Sequence, residues 1–499
     1  MTMGLKFQYS DLQYERRQPE KTILHRVIRE NFVGTLRSIE CAHAESGGGF
    51  FTPLPYYVKN EFLKFLDCGI LEKGFLRLHC ASCNASKLVG HSCKCRGICP
   101  VCGNRRMANT AANLVDQVIP LGQVRQWVLS LPFQIRYILA YNSEVLTSLL
   151  GIYFRVISSY YILAAKKMGL PNPRTAAVTF VQRFGGQLNL NIHFHTLFSD
   201  GFFYTNKKGI ILFKKIKAPS TEGVEKINKK IIKRFVRALR KRGFLNDGYK
   251  DDVTCDYGHA QNEFMTTAMA ASIGRKIAWG SRRGCKVQRI GQTNEVAWKP
   301  KQGLRLSYIN GFSLHANVMV KSSDRVGLEE LCRYVARPAL SNSRISEDEQ
   351  GNIIYALKIP YTDGTTHLKF TIEEFIVALV ALIPPPRVHL VRYHGLLGPN
   401  CKDRKKVIPI QSKAKEPKKE SDHYPPKEYW IKWDKLYQRV FKKDALICTK
   451  CGGTMKIVAD ITDPEAIKKI LSALGLEDSS YTIKDGAPRI NGPTYYPSD

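Results

Sequence analysis

Two histidines stand two residues apart at His193 and His195, inside the run NLNIHFHTLFSDG. On a β-strand, alternate residues share a face, so both imidazoles project together while Phe194 packs behind. Paired imidazoles on a rigid strand form half of a metal site. About 140 residues downstream, LCRYVARPALSNSR carries Tyr334 between Arg333 and Arg337. A phenol flanked by guanidiniums suits a phosphate. A divalent ion at the histidines would polarise a scissile phosphate of DNA. Tyr334 would attack it in line, and the phosphotyrosine formed would conserve the broken bond's energy, so rejoining would need no nucleotide cofactor. No P-loop of the GxxxxGK[ST] form occurs, in keeping with that scheme. Two imidazoles hold a hard ion such as Mg²⁺ or Mn²⁺ poorly, so a third ligand is expected. The candidates are His315 in SLHANV, which is preferred, and Gln182 on the preceding strand.

A second chemistry lies in the cysteines. Between Cys80 and Cys102 the sequence reads CASC, then CKC, then CPVC. The pairs Cys80/Cys83 and Cys99/Cys102 bracket about 15 residues, a spacing suited to one structural zinc with four thiolates and no open position. Cys93, Cys95 or His91 could each replace one of the four. A further pair, Cys448/Cys451, is half a site whose missing ligands could come from Cys401, His394 or His423.

These residues need elements to hold them. Thr175 to Phe184 and Leu188 to Phe198 read as two strands joined by Gly185-Gly186-Gln187, a hairpin carrying the histidines. Apolar spacing is helical from about 111 to 170, from 221 to 242, and from Asp324 to Val335, where Pro338 ends the helix bearing Tyr334. Strands are expected at Leu304 to Tyr308 and Ser313 to Val320, and a last helix at Pro464 to Leu474.

At 499 residues, 44% hydrophobic and 24% charged, the chain has the composition of a multidomain globular protein. Its net charge of +33 points to a polyanionic partner, nucleic acid foremost. The cations concentrate in Glu225 to Arg242, in Gly274 to Arg289 (Arg275, Lys276, Arg282, Arg283, Lys286, Arg289) and in a loose arm from Lys402 to Lys419. Contacts from these to the phosphate backbone would supply affinity without sequence information, and Trp279 could stack on an unpaired base or pack in the core. The opening MTMGLKFQYSDLQYERR lacks a signal-type apolar core, and charges at Arg136, Glu144 and Arg155 interrupt the most apolar stretch. A cytoplasmic chain with no membrane span is the expectation.

The stretch CASC…HSCKCRGICPVCGNRRMANTAANLV, the strand NLNIHFHTLFSDG, the block SLHANVMVKSSDRVGLEELCRYVARPALSNSRI and the segment VRYHGLLGPN together resemble the rolling-circle transposases of the insertion-sequence-91 and common-region type, within the HUH endonuclease superfamily. The resemblance runs from about residue 75 to 475. It implies an α+β protein: an N-terminal zinc-binding, DNA-binding domain (1–110), an HUH-type catalytic domain with a central antiparallel sheet flanked by helices (111–400), a basic linker (401–430) and a small C-terminal module (431–499). It also implies a single-stranded DNA substrate at transposon ends and targets, a 5′-phosphotyrosyl intermediate on Tyr334 and a catalytic Mg²⁺ or Mn²⁺ at His193 and His195, with His315 added on ligand chemistry; charge alone makes Arg333, Arg337, Arg275, Lys276, Arg282 and Arg283 the expected DNA contacts. Such a protein would work in the prokaryotic cytoplasm, on the nucleoid. Where some relatives have a second tyrosine four residues away, this chain has Glu330, as in the single-tyrosine subgroup. The alternatives are a plasmid relaxase or replication initiator with the same chemistry, and a zinc-dependent nucleic-acid-binding protein in which these residues are structural.

Overall fold

The computed structural model describes residues 17–45, 54–245, 262–292, 303–409, 433–441, 444 and 446–476. The chain begins with helices α1 (Ile23–Glu45) and α2 (Tyr56–Leu66), strands β1 (Phe75–Cys80) and β2 (Ser86–Gly90), and helix α3 (Pro100–Asn113). Next come β3 (Val124–Ser130), α4 (Phe133–Tyr141), α5 (Ser143–Lys167), the hairpins β4 (Ala176–Phe184)/β5 (Leu190–Ser199) and β6 (Gly201–Thr205)/β7 (Ile211–Lys215), and helices α6 (Thr221–Arg240) and α7 (Glu263–Gly274). The third stretch contains β8 (Gln288–Ile290), β9 (Leu306–Ile309), β10 (Phe312–His315), β11 (Met319–Val320), α8 (Arg325–Ala336), β12 (Ile345–Glu347), β13 (Ile353–Ala356), β14 (His367–Phe370), α9 (Ile372–Leu382) and β15 (Val391–Gly395). After α10 (Arg404–Val407) come α11 (Trp433–Phe441), β16 (Met455–Ile461) and α12 (Pro464–Ala473).

A mixed α/β architecture results, built on antiparallel sheets. The main sheet has the order β15-β4-β5-β3-β10-β9, with β11 also on β3. Its innermost strand, β5, is buried along nearly its whole length, as a strand covered on both faces must be. One face carries Trp127, Phe194 and Phe198 and packs under α5, where Trp127 Nε1 donates to the Tyr161 hydroxyl and Phe154 stacks on Phe198. The other face carries Val178, Phe180 and Leu197 and is covered by Leu328, Cys332 and Val335 of α8. These three positions are the helical repeat of an amphipathic stripe, and Asp324 caps the helix by accepting from Gly327 N–H.

Sheet register is fixed at one end by a buried ion pair. Arg125 on β3 meets Asp200, just past β5, through Nε at 2.9 Å and Nη2 at 2.7 Å. Tyr161 and Gln123 also donate to that carboxylate.

Two expectations change here. The stretch from 111 to 170 is not continuously helical, because Val124–Ser130 forms a central strand between turns containing Pro120 and Pro132. Helix α5 alone among the described helices is long and apolar enough to cross a bilayer by length and composition. An intervening charge does not exclude it by that measure, but its apolar face is packed on the sheet through Leu146, Leu149, Tyr153, Ile157 and Tyr161. Strand β16 pairs with β1 in a three-stranded sheet, β16-β1-β2, and Ile467 and Leu471 of α12 pack on Leu71, Phe75 and Leu88. Helix α1 packs against α9, and its Arg26 pairs with Glu347.

Candidate active site and metal centres

Alternation along β5 turns His193, His195 and Leu197 to the face under α8. The two imidazole centroids lie 4.8 Å apart, with ring planes at 64°. His193 Nδ1 is 2.8 Å from the Asn191 carbonyl, which can only accept, so Nδ1 carries the proton and Nε2 keeps its lone pair. Gln126 Nε2 lies 2.8 Å from His195 Nδ1 and donates to it, which leaves the ring proton on Nε2; with the amide turned over, its Oε1 accepts from Nδ1–H and Nε2 is freed as a metal ligand. His195 Nε2 is buried with no hydrogen-bond partner among the described residues. Burial pushes the His193 imidazole down to about 4, aided by Arg337 and Arg136, and lowers His195 further, aided by His193 and Arg337. Both rings are therefore neutral near pH 7, the form that ligates a metal.

Gln182 on β4 lies directly opposite His193 in the ladder. Its amide nitrogen donates to the Val335 carbonyl at 2.8 Å, and its buried Oε1 has no hydrogen-bond partner among the described residues. A buried imidazole nitrogen and a buried amide oxygen, both orphaned on one face, are costly unless something binds them. A divalent ion fits this donor set of two imidazole nitrogens and an amide oxygen. His315, the preferred third ligand from sequence, does not join it. Through the rows His315–Val128 and Val128–His195 it sits on the same face but two strands away, roughly 10 Å at sheet spacing. No cluster of metal-ligating side chains among the described residues includes it.

Helix α8 brings Tyr334 over the same face. Its ring centroid is 5.9 Å from that of His195, nearly perpendicular, and the residue is 42% exposed. The Arg337 guanidinium lies 4.5 Å from the Tyr334 ring centroid and the Lys358 ammonium 5.5 Å from it. Lys358 was not legible in sequence, because it reaches the tyrosine from the loop after β13. Arg333, expected as a phosphate contact, instead donates to Glu329 at 2.6 Å one turn back. Arg282 is likewise engaged with Glu374. Arg275, Lys276 and Arg283 are exposed on the segment after α7. The Arg275 charge acts on Arg136, and Arg136 in turn acts on His193. Trp279 takes its core alternative, edge-on to Phe264 with centroids 6.0 Å apart. The basic face of α6 is on the far side of the sheet, where the opposite face of that helix packs through Phe235 on Phe312. The arm from Lys402 to Lys419 is described only to residue 409.

The cysteines regroup. Cys80, Cys83, Cys99 and Cys102 do not form one site, because each CxxC pair has its partners elsewhere. One cluster joins Cys68, Cys93, Cys99 and Cys102, with all ligand atoms within 4.8 Å of one another. Cys68 was missed because it is an isolated cysteine in LDCGIL, brought in by the turn after α2. Proline at the start of α3 and the Cys99 cap place the Cys99/Cys102 knuckle, while Arg17 donates to the Cys68 carbonyl at 2.9 Å and so sits beside the thiols. Of the alternatives, Cys93 is a member, Cys95 is turned toward the Glu61 carbonyl, and His91 bonds Asp460 at 2.9 Å. The second cluster joins Cys80 and Cys83 to Cys448 and Cys451. His394 is not part of it, being stacked on Phe154 and bonded to Thr179, and Cys401 is absent from it as well. His423 lies outside the described residues.

Comparison with known proteins gives this arrangement a context. Residues 176–405, holding β4, β5 and α8, match a family described as "Putative transposase". Residues 42–131 match a "Transposase zinc-binding domain" family of the insertion-sequence-91 type. A curated protein of Sinorhizobium fredii (strain NBRC 101917 / NGR234), "Putative transposase y4qJ", is 27% identical over 138 residues, which is 27% of this chain and 33% of that relative's length. The chain thus spans about a third of the curated relative it matches. No solved structure matches it. The zinc-binding and transposase matches stand in order along one chain, which over both segments is similar to transposases of the insertion-sequence-91 type.

Proposed function

We propose that this transposase nicks and rejoins single-stranded DNA at transposon ends through a covalent tyrosine intermediate, in rolling-circle transposition. The observation that carries the reading is the meeting of Tyr334 with His193, His195 and Gln182 on one face of an antiparallel sheet, the layout expected of an HUH endonuclease domain.

Tyr334 Oη attacks the scissile phosphorus; the P–O3′ bond breaks, the 3′ oxygen leaves as a hydroxyl, and the 5′ phosphate stays esterified to the phenol. Attack by another 3′-hydroxyl reverses the step and joins a new strand, with no net loss of phosphodiester bonds. Arg337 and Lys358 lie over the Tyr334 ring, where their charges favour a phosphate beside it. A divalent ion such as Mg²⁺ or Mn²⁺, held by His193, His195 and Gln182, would polarise the phosphate and offset charge in the transition state. Gln126 and the Asn191 carbonyl hold the two imidazoles in orientation.

The test is peptide mapping of the protein–DNA adduct trapped on a labelled single-stranded end in Mn²⁺. DNA on Tyr334 is expected, together with loss of cleavage but not of DNA binding in Tyr334→Phe. An adduct at another residue, or none, would overturn the reading.

A further inference from the structure

The second cysteine cluster joins residues from opposite ends of the chain. Cys80 Sγ lies 3.5 Å from Cys451 Sγ, and Cys83 Sγ lies 3.5 Å from Cys448 Sγ. Those separations are far too long for disulfides, and they approach the roughly 3.8 Å between thiolates that share a tetrahedral zinc with Zn–S of about 2.3 Å. Both pairs sit on matching knuckles. Cys80 N–H donates to the Ala85 carbonyl at 2.9 Å around Asn84, which is left-handed at φ 55°. Cys448 N–H donates to the Gly453 carbonyl at 2.8 Å around Gly452 at φ 73°. Gly453 lies against the cluster itself: a Cβ there would stand 3.3 Å from both Cys80 Sγ and Cys451 Sγ. The backbone at that position has been kept bare so that two hairpins can bring four sulfurs together.

The match to the zinc-binding domain family ends at residue 131 and so includes only half of these ligands. The other half arrives with a segment that also grips the catalytic face. Helix α11 ends at Phe441, a few residues before Cys448. Its Leu436 is buried, and Arg439 reaches both Glu329 of α8, through Nε at 3.1 Å, and Asp116 at 3.2 Å. Glu329 is the residue that also holds Arg333, the immediate neighbour of the exposed Tyr334.

We propose that Cys80, Cys83, Cys448 and Cys451 bind a second structural zinc, which closes the chain end to end and holds α11 as a strap across α8. Four thiols lose their protons to solvent on binding, and the ion supplies the core that a two-knuckle unit with so few buried apolar residues lacks. The strap then fixes α8 through the Arg439–Glu329–Arg333 network. This does not depend on Tyr334 being a nucleophile.

Full-length protein should carry two zinc ions per chain by elemental analysis, with X-ray absorption giving four sulfur neighbours per zinc. Cys448→Ser with Cys451→Ser should retain one. In that variant, hydrogen exchange of the peptide Arg325–Ala336 should quicken by about tenfold or more, while the sheet strand Leu190–Ser199 stays protected. Arg439→Gln should keep both zinc ions and reproduce the faster exchange, which isolates the strap should the cysteine variant fail to fold. One zinc per chain in the unmodified protein, nitrogen or oxygen in the coordination shell, or unchanged α8 exchange in Arg439→Gln would overturn the proposal.

Discussion

Gln182 stands directly across the β4–β5 ladder from His193, with one end of its amide tied to the Val335 carbonyl and the other buried without a partner. That one side chain links the histidine strand to the helix bearing Tyr334, because the hydrogen bond to Val335 falls one residue past the tyrosine.

Gln182 and Gln126 should therefore matter to metal binding in different ways. Gln126→Ala removes an outer partner of His195, and a loss of about 10–100-fold in Mn²⁺ affinity is expected. Gln182→Ala removes an oxygen donor and should cost at least as much. His315→Ala, two strands away, should leave affinity unchanged. Calorimetric Mn²⁺ titration of the three variants ranks them; an His315 effect as large as that of Gln182 would contradict the assignment.

The Arg125–Asp200 pair should be a stability determinant. Asp200→Ala leaves a buried guanidinium unpaired and should cost about 3–5 kcal/mol. Replacing both, Arg125→Met with Asp200→Leu, should recover most of that loss, since no buried charge remains. Chemical denaturation of the single and double variants tests this, and equal losses in both would contradict it.

Acid should destabilise the sheet through its histidines. Burial, with a contribution from Arg392, pushes His394 down to about 4, against 6.5 for an ordinary imidazole. The unfolded chain takes up its proton first as pH falls. This contribution is fully present above about pH 6.5 and is lost progressively down to about pH 4, at a slope of up to about 1.4 kcal/mol per pH unit. Urea midpoints measured from pH 8 to 4 should fall over that window, and His394→Gln should flatten the decline.

The two basic segments lie on different faces, and a DNA strand that runs past Tyr334 should meet only one of them. Neutralising Arg275, Lys276 and Arg283 to Gln should make log K for single-stranded DNA less dependent on log salt by about 2, at roughly 0.7 per phosphate contact. Neutralising Lys226, Lys230 and Lys233 on α6, across the sheet from Tyr334, should change that slope less. Filter-binding titrations over a salt series decide it, and a larger effect from α6 would move the DNA to the other face.

What the sequence determined by itself was local. Alternation over Leu188 to Phe198 specified a strand with His193 and His195 on one side, and the stripe Leu328, Cys332, Val335 specified the helix that carries Tyr334. The CxxC spacings announced metal knuckles, because a tight turn is a property of four or five neighbouring residues. Which residues meet across the chain was decided only by the tertiary structure. A knuckle offers two sulfurs and accepts any second pair that packing brings near, so Cys80/Cys83 joined Cys448/Cys451 through the β1–β16 pairing, and Cys99/Cys102 took Cys93 and the solitary Cys68. Likewise His315 was preferred to Gln182 along the chain, and strand order reversed that preference: β4 lies beside β5 and β10 does not. Spacing fixes what a segment can offer, whereas sheet order and burial fix what it faces, because the hydrophobic contacts that set them join residues hundreds of positions apart.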